Sequence, residues 1–593
     1  MKPIASTSSP SLRLWLSALV LPLALGALAY AGVLGSGFVW DDKHLIVSNT
    51  LLRQASPLPA IASDFWQEGE RTDFYRPLVS LSYFMEFRLW RLAPAGYHAA
   101  NLAYHLLATL AVTWVAWLLF ASPAAAVLSG IVFAVHPVHT ESVAFISGRP
   151  DLLAGALLGG AFAFYVRARA RHRRVSATSL ALFTAALLSK EVALAFPAIL
   201  IAYELTAGAA PAGPPAPAET VRSRARRLAS VVWPYLATVG VYLGVRVLVL
   251  GAVLGRGVGH RGVGQTGLGS RGVIVANALG EYLRLLLFPI PAAPDRLPDP
   301  AVGAPAIAAL AAVALLVGAL WESWPSSRLP SFLLAWFLLT LVPASPLVPG
   351  RAPQIAERFL YVPSIAWAWL CGWAGERLWS SEWCRPRARR GIAAALAVAL
   401  LASAIGLTAL RNRDWHDEYR LFSRMAASEP RSYLAPVNLG NLYFGAERLP
   451  EAEAEFRRAL ALRPSSAPAL LGLALVESRL GEHDQAIRYA VRARDLAPDG
   501  DLIHAQLGAI YGVAGRYREA AASFEEAVRR NPRRLQARGN LVAALADAGR
   551  PVEARAALAE LERRLTAEAY RDPADIQMVM VLQQRLAATK TPP

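Results

Sequence analysis

The feature that most constrains the fold of this chain is a series of apolar runs, most about 20 residues long, between residues 12 and 410. A helix needs about 20 apolar residues to cross the hydrocarbon core of a bilayer. The chain has 593 residues, of which 55% are hydrophobic, and is too long for one ordinary domain. The sequence therefore predicts an all-α membrane domain over residues 1–410, followed by a charged, alanine-rich helical part.

Arginine clusters between the apolar runs indicate which helix ends face the cytoplasm. They lie at residues 167–174, 222–227 and 385–390, beside apolar segments, as the positive-inside rule describes. The net charge of +17 is therefore attributed to membrane topology, and nucleic-acid binding is not indicated. Two cysteines, Cys371 and Cys384, indicate neither a disulfide framework nor a thiolate metal site.

The number of spans follows from parity, because two cytoplasmic clusters must be separated by an even number of crossings. The run 176–205 is interrupted by Lys190 and Glu191, so it is divided into two short helices with an outer turn. The run 271–290 contains Glu281 and is assigned to an amphipathic or re-entrant segment. About eleven spans remain, with a cytoplasmic N-terminus, at about 12–34, 99–120, 124–146, 152–167, 176–188, 192–206, 229–250, 303–321, 331–349, 359–376 and 391–410.

The first run is interpreted as an uncleaved span, because it is longer than the apolar region of an ordinary signal peptide. Cleavage after the stretch Ala27-Leu-Ala29 is the alternative. With an uncleaved first span, the loop after residue 37 and the whole C-terminal part lie on the outer side of the membrane.

A period of 34 residues characterises the part of the chain after a connector at residues 411–432. The pattern is that of tetratricopeptide repeats, whose helix pairs stack into a solenoid with a concave, peptide-binding groove. Four repeats are predicted at 433–466, 467–500, 501–534 and 535–568, and a C-terminal helix or tail at 569–593. The residues that keep register include Pro464, Pro498 and Pro532, and Gly481, Gly515 and Gly549.

Two adjacent carboxylates, Asp41 and Asp42, directly follow the first apolar run. They are expected at the outer boundary of the membrane, beside Phe38 and Trp40, which suit an interfacial aromatic belt. Such a pair can act as a general base or hold a divalent metal ion, and the structural alternative is a helix cap or a loop salt bridge. The position favours chemistry on a substrate with a lipid tail and a head in water.

Other outer loops contain ionisable residues, which are costly near lipid and therefore indicate function. His136, His139 and Glu141 have a spacing that could bind zinc on a helix. Because Pro137 lies inside this motif and no third histidine is near, binding of a polar substrate head is favoured. Cations on the same side could hold a lipid-linked phosphate, with interfacial snorkelling as the alternative: Arg149, Lys190 and Arg358.

Several short motifs occur in a defined order along the chain. They are Val39-Trp-Asp-Asp42, Tyr75-Arg-Pro-Leu78, Gly96-Tyr-His98, His136-Pro-Val-His-Thr-Glu141, Arg149-Pro-Asp-Leu-Leu153, Ser189-Lys-Glu191 and Glu357-Arg-Phe-Leu-Tyr361. Together with the repeats, they resemble the transmembrane and tetratricopeptide-repeat O-mannosyltransferases and their bacterial relatives. The resemblance implies a GT-C type glycosyltransferase with a polyprenyl-phosphate sugar donor.

The resemblance also implies roles for individual residues. Asp41 and Asp42 become the catalytic acids, and one of them deprotonates the acceptor hydroxyl. No cofactor is then required, because the leaving group is already a stabilised phosphate, and a divalent metal at the two aspartates is optional. The residues implied to line the donor and acceptor sites are Arg76, His98, His136, His139, Glu141, Arg149, Lys190, Glu357, Arg358 and Tyr361.

We therefore expect a hexosyltransferase, with mannose favoured, in the inner membrane of a bacterium. Its acceptor is expected to be a Ser or Thr hydroxyl of protein on the extracytoplasmic side, with the repeats recruiting that protein. Two alternatives stay open. One is a non-catalytic membrane-anchored repeat scaffold for envelope assembly, and the other is a transferase that acts on a glycan or a lipid.

Overall fold

The computed structural model describes residues 12–66, 74–206, 220–251, 268–289, 328–344, 355–566 and 572–588, with a few single residues between 296 and 311. Their secondary structure is almost entirely helical, as predicted. The chain divides into two compact units. The described residues within 12–42, 74–82 and 88–417 belong to the first unit, and those within 43–66, 83–87 and 418–588 to the second.

The helices of ten or more residues described before residue 417 are numbered here in chain order. They are α1 (Leu12–Tyr30), α2 (Pro77–Trp90), α3 (Pro94–Phe120), α4 (Pro123–Val135), α5 (Arg149–Ala170), α6 (Ala177–Leu187), α7 (Phe196–Leu205), α8 (Val221–Leu250), α9 (Leu268–Leu287), α10 (Leu329–Leu341), α11 (Ser364–Ser380) and α12 (Arg387–Asn412). Residues 83–87 of α2 cluster with the second unit.

Several of these helices are suited to a membrane. Within the described ranges, five helical stretches are long and apolar enough to cross one: Ala18–Gly35, Pro94–Phe120, Ile146–Ala170, Val221–Leu250 and Arg387–Trp415. A sixth arises if Pro123–Val135 and Pro137–Ala144, bent by 48°, form one span. The total of about eleven spans stays a prediction, and most of the run 303–321 lies outside the described residues.

The interrupted apolar run forms two short helices, α6 and α7, as predicted. Between them, Glu191–Ala195 forms a short 3-10 helix. The segment predicted to be amphipathic or re-entrant is the helix α9, which is not among the five stretches suited to span a membrane.

The break after α4 has a local cause. Pro137 lacks an N–H donor and disfavours helical geometry at the preceding residue. His136 accordingly has an extended backbone with ψ of 126°, and its Nδ1 accepts a hydrogen bond from the Val138 amide at 3.2 Å. His139 and Glu141 therefore follow on a 3-10 turn and a short helix, not on one continuous helical face with His136.

An aromatic cluster packs α5, α10 and α11 together. The ring centroid of Phe162 lies 5.3 Å from those of Phe332 and Trp336, and the Trp336 and Trp369 rings are 4.9 Å apart. Such edge and offset contacts stabilise a core beyond simple burial. This packing gives the residues at the ends of these helices a rigid support.

The described residues of the second unit form four helix pairs, one in each predicted repeat. Gly481, Gly515 and Gly549 follow the first helix of three pairs with φ of +87°, +73° and +74°, which favours glycine. The pairs are α14 (Leu434–Gly445) with α15 (Leu449–Leu462), α16 (Ala467–Leu480) with α17 (His483–Leu496), α18 (Asp501–Val513) with α19 (Tyr517–Arg530), and α20 (Leu535–Asp547) with α21 (Pro551–Thr566); α13 (Glu418–Ser428) precedes them and α22 (Pro573–Ala588) follows.

The segment after Asp42 groups with the repeats. Arg53 pairs with Asp572 at 3.5 Å and with Asp575 at 3.2 Å, and Lys43 pairs with Glu418 at 2.5 Å. A division at residue 410, based on hydropathy, places residues 43–66 in the membrane domain instead. The difference arises because ion pairs between residues hundreds of positions apart leave no trace in local composition.

Candidate active site

Asp42 is fully buried and lies in the segment that follows α1 and the short 3-10 helix Ala31–Gly35. Its Oδ1 accepts hydrogen bonds from the Ser147 amide at 2.8 Å and the Ser147 hydroxyl at 2.6 Å, and its Oδ2 accepts one from the Val39 amide at 3.1 Å. Burial raises the pKa of Asp42 to about 7, although these bonds and Arg149 act to lower it. Asp42 therefore joins its own loop to the turn that precedes α5.

The residue before the acidic pair, Trp40, has a φ of +50°. L side chains rarely adopt this conformation, and it persists only where the surroundings hold it. The Trp40 ring stacks on Phe145 with centroids 6.0 Å apart, and Phe145 stacks on Trp415 at 5.0 Å. This aromatic stack supports the backbone from which both aspartates project.

Asp41 is partly exposed, in contrast to Asp42. Its charge acts on Arg358: burial lowers the pKa of that guanidinium, but Glu141, Asp41 and Asp151 together raise it above its ordinary value.

Three cations in this part of the first unit are each paired with a carboxylate. The pairs are Arg76 with Glu191 at 2.9 Å, Lys190 with Asp151 at 2.5 Å, and Arg358 with Glu141.

We call Asp41 and these three ion pairs the charged cluster. Its cations influence one another, because burial lowers the pKa of Lys190, Asp151 opposes that effect, and Arg76 and Arg358 add to it. The side chains of Arg76, Lys190 and Arg358 are 11%, 11% and 21% exposed, and each is more exposed than its carboxylate partner.

Arg149 and His98 are buried and have partners within the first unit. Arg149 donates from Nε to Asn101 Oδ1 at 2.9 Å and to two further oxygen atoms, one on α2 and one on α3. His98 Nε2 lies 3.3 Å from the Gly37 carbonyl oxygen. These contacts join α5, α3 and the loop that leads to the aspartates.

His136, His139 and Tyr361 lie in a buried network. His139 has partners on both ring nitrogens, a backbone carbonyl at 2.9 Å and Ser364 Oγ at 2.7 Å. The Tyr361 hydroxyl lies 2.9 Å from Nδ1 of His105, and His136 Nε2 lies 3.1 Å from a carbonyl of α9. The network fixes the segment 357–361 against the bend after α4.

Glu357 pairs with Arg411, near the end of α12, and their side chains are 2% and 6% exposed. Arg411 also donates to the Pro137 carbonyl at 2.7 Å. Arg411 was not among the predicted site residues, because one arginine at the end of an apolar run looks like an ordinary interfacial residue.

Asp151 and Ser147 were also missed as site residues. Asp151 lies inside the Arg149-Pro-Asp motif, so the sequence contained a signal for it. The sequence contained no signal for Ser147, because its role depends on its amide and hydroxyl lying next to Asp42 in the folded chain.

A metal ion at the two aspartates would need further ligands. In the described part of the chain, no group of three or more His, Cys, Asp or Glu side chains could hold one. Asp42 already uses both oxygen atoms in bonds to Val39 and Ser147. The described residues around the two aspartates therefore do not supply the ligand set of a metal site.

We expect Asp42 to make the first unit less stable as the pH rises from about 4 to about 7. The pKa of Asp42 is raised from 3.8 to about 7 on folding, so the folded state binds more protons than the unfolded state in this window. The contribution is full below the unfolded pKa and is lost as the buried carboxyl ionises. Thermal midpoints of the wild type and Asp42→Asn, compared across this range, isolate the effect; a wild type that gains stability relative to the variant contradicts it.

Family models of the tetratricopeptide repeat match residues 432–499 and 514–572. The repeats predicted from the 34-residue period are therefore confirmed. A solved tetratricopeptide-repeat protein, TTC0263 of Thermus thermophilus, is 21% identical, with 32% of this chain and 96% of that chain covered and a TM-score of 0.25.

Proteins named as O-mannosyl-transferases are similar to this chain over part of their length. Protein O-mannosyl-transferase TMTC3 of Homo sapiens is 32% identical over 185 residues, which is 30% of this chain and 20% of that protein. Tmtc3 of Drosophila melanogaster is 27% identical over 540 residues, which is 78% of this chain and 57% of that protein. The chain thus spans between a fifth and just over half of the length of these relatives.

Proposed function

We propose that this chain, homologous to part of the protein O-mannosyl-transferases, is a membrane glycosyltransferase. It moves a hexose, with mannose favoured, from a polyprenyl-phosphate carrier to a Ser or Thr hydroxyl of protein on the extracytoplasmic side. The observation that carries the proposal is the unequal environment of two adjacent aspartates. Asp42 is buried and accepts hydrogen bonds on both oxygens, whereas Asp41 is partly exposed and belongs to the charged cluster.

In this proposal Asp41 is the general base. The acceptor oxygen attacks the anomeric carbon, the bond from that carbon to the carrier phosphate breaks, and the phosphate leaves with the electron pair. The hydroxyl proton passes to Asp41, the type of transfer that contributes about 10² to 10⁴-fold in enzymes. An acceptor can reach Asp41 without breaking the bonds that Asp42 makes to Val39 and Ser147.

Arg76, Lys190 and Arg358 would bind the donor phosphate. Each already has a carboxylate partner, which holds the cation in one orientation before the substrate arrives. With Arg246, which lies 3.7 Å from Glu191, four cations face four carboxylates including Asp41. Cations oriented in advance stabilise the charge that develops on the leaving phosphate at little cost in reorganisation.

The other predicted site residues act as positioning residues in this proposal. Each makes at least one hydrogen bond or ion pair within the first unit, so in this proposal they set the geometry of the loops and do not touch the substrate. They are Asp42, His98, His136, His139, Glu141, Arg149, Glu357 and Tyr361.

The proposal is tested by sugar transfer in membranes that contain the full chain, supplied with radiolabelled polyprenyl-phosphate mannose, glucose or N-acetylglucosamine. We expect label from the mannose donor to appear in protein with the wild type and not with Asp41→Asn. Label that appears only in lipid or glycan would favour the other transferase class. If the inserted wild type consumes no donor while its repeats retain envelope proteins, the scaffold alternative replaces the enzyme.

A further inference from the structure

A buried carboxylate, Glu204, joins three helices at one end of the first unit. It is 0% exposed and accepts hydrogen bonds from Arg169 at 2.7 and 3.1 Å, from Arg227 at 2.6 Å and from the Tyr165 hydroxyl at 2.9 Å. Arg169 lies at the end of α5, Glu204 at the end of α7, and Arg227 near the start of α8. The carboxyl ends of α5 and α7 therefore meet the amino end of α8.

This junction brings two arginine-rich segments together. Between residues 160 and 230, the structure describes two carboxylates. Glu191 pairs with Arg76, and Glu204 pairs with both Arg169 and Arg227. This end of the helices thus has a large excess of positive charge. We define the arginine patch as exposed arginine side chains of the two segments that the junction joins: Arg167, Arg171, Arg173, Arg174, Arg222 and Arg226.

We propose that the arginine patch is a binding site for the phosphate headgroup of an anionic phospholipid. The stretches Ile146–Ala170 and Val221–Leu250 are long and apolar enough to span a membrane, which places their ends near the depth of the headgroups. Guanidinium groups bind phosphate oxygens in a bidentate manner, and basic groups beside spans attract anionic lipids. On α8, Trp233 and Leu236 are 62% and 54% exposed and offer an apolar surface for the acyl chains.

The Glu204 junction makes this a defined site and not a diffuse attraction. Separating the helix ends would leave a buried carboxylate without its cations, which is strongly unfavourable. Arginines from two segments are therefore held toward the same headgroup. In the cluster 385–390, by contrast, the arginines follow one another at the start of α12, and Arg389 and Arg390 lie over tryptophan rings at 5.6 and 5.8 Å.

The test compares the full chain with Arg173→Gln/Arg222→Gln/Arg226→Gln, in detergent with added phosphatidylglycerol or phosphatidylcholine. The matched control, Arg387→Gln/Arg389→Gln/Arg390→Gln, removes the same charge from the other cluster. We expect phosphatidylglycerol to raise the thermal midpoint of the wild type and the control by about 3 °C more than phosphatidylcholine does. The patch variant should lose this difference, and native mass spectrometry should show one retained anionic lipid fewer.

A variant with lysine at positions 173, 222 and 226 keeps the positive charge. It should therefore restore most of the difference between the shifts of the thermal midpoint in phosphatidylglycerol and in phosphatidylcholine. A patch variant that merely destabilises the protein lowers the midpoint in both lipids and leaves the difference intact, which would overturn the proposal. Equal losses in the patch and control variants would also overturn it, since they indicate diffuse attraction. Inorganic phosphate is a further arm: if it reproduces the full shift without lipid, the site binds free phosphate and the lipid assignment is wrong.

Discussion

Asp41→Asn is expected to reduce sugar transfer by a factor of about 10² to 10⁴ while changing the thermal midpoint less than Asp42→Asn does. The asparagine amide has nearly the size of the carboxylate but cannot accept the acceptor's proton. Asp41 is partly exposed, so its replacement leaves no buried cavity. Transfer is measured with labelled polyprenyl-phosphate mannose, and stability is measured on the same purified preparation.

Asp42→Asn serves as the contrasting variant, because it should lose stability and transfer together. Asp42 accepts bonds on both oxygens, from Ser147 on one and from Val39 on the other. An amide offers one acceptor, so its NH2 group must face an N–H donor, at a cost of about 1–3 kcal/mol. Asp64→Asn, a change to another aspartate before α2, is the control and should leave both quantities near the wild-type values.

The outcome that would contradict the division of roles is an Asp41→Asn protein that transfers sugar at the wild-type rate. If Asp42→Asn alone abolished transfer with an unchanged midpoint, Asp42 would be the base. The general-base role would then move to the buried carboxyl, and the loop would have to open to admit the acceptor.

Arg411→Ala is expected to destabilise the first unit by about 3–5 kcal/mol, because it removes one partner of a buried ion pair. Glu357 is 2% exposed and would keep its charge without a counter-ion. The Pro137 carbonyl would also lose its donor. Thermal unfolding in a mild detergent measures the loss, with yield after size-exclusion chromatography as a second readout.

The double variant Glu357→Gln/Arg411→Met is the control for this prediction. It removes both charges and keeps most of the volume, so it should recover more than half of the stability that Arg411→Ala loses. Equal midpoints for the single and the double variant would show that packing, and not the unpaired charge, causes the loss.

The sequence predicted the parts of the fold that depend on local pattern. The 34-residue period located the four helix pairs, and Lys190 with Glu191 located the turn between α6 and α7. The motif containing Asp41 and Asp42 follows the first apolar helix, α1, after the short 3-10 helix Ala31–Gly35. In each case one stretch of chain contains both the signal and the structure that it forms.

The sequence could not predict which of the polar residues would find partners across the fold. The two aspartates are neighbours of identical chemistry, and they differ because the fold buries Asp42 and brings Ser147, 105 residues away, to its carboxylate. The pairing of Glu357 with Arg411 likewise depends on the arrangement of α12 beside the bend after α4. Such contacts depend on tertiary structure, and neither the hydropathy nor the spacing of residues along the chain contains information about them.

The grouping of residues 43–66 with the repeats has a consequence for how such a protein can be recombined. The second unit is formed by residues within 43–66 and 83–87 and by the chain from residue 418 onward. The two units are therefore not two consecutive segments with one boundary between them. If the repeats of two relatives were exchanged at a single crossover, Arg53 would come from one protein and the residues at positions 572 and 575 from the other. The ion pairs of Arg53 with Asp572 and Asp575 would then be lost wherever the other protein lacks these aspartates. Residues 43–66 and the C-terminal segment must therefore be exchanged together. The same constraint links the evolution of the first loop to that of the C-terminal helix.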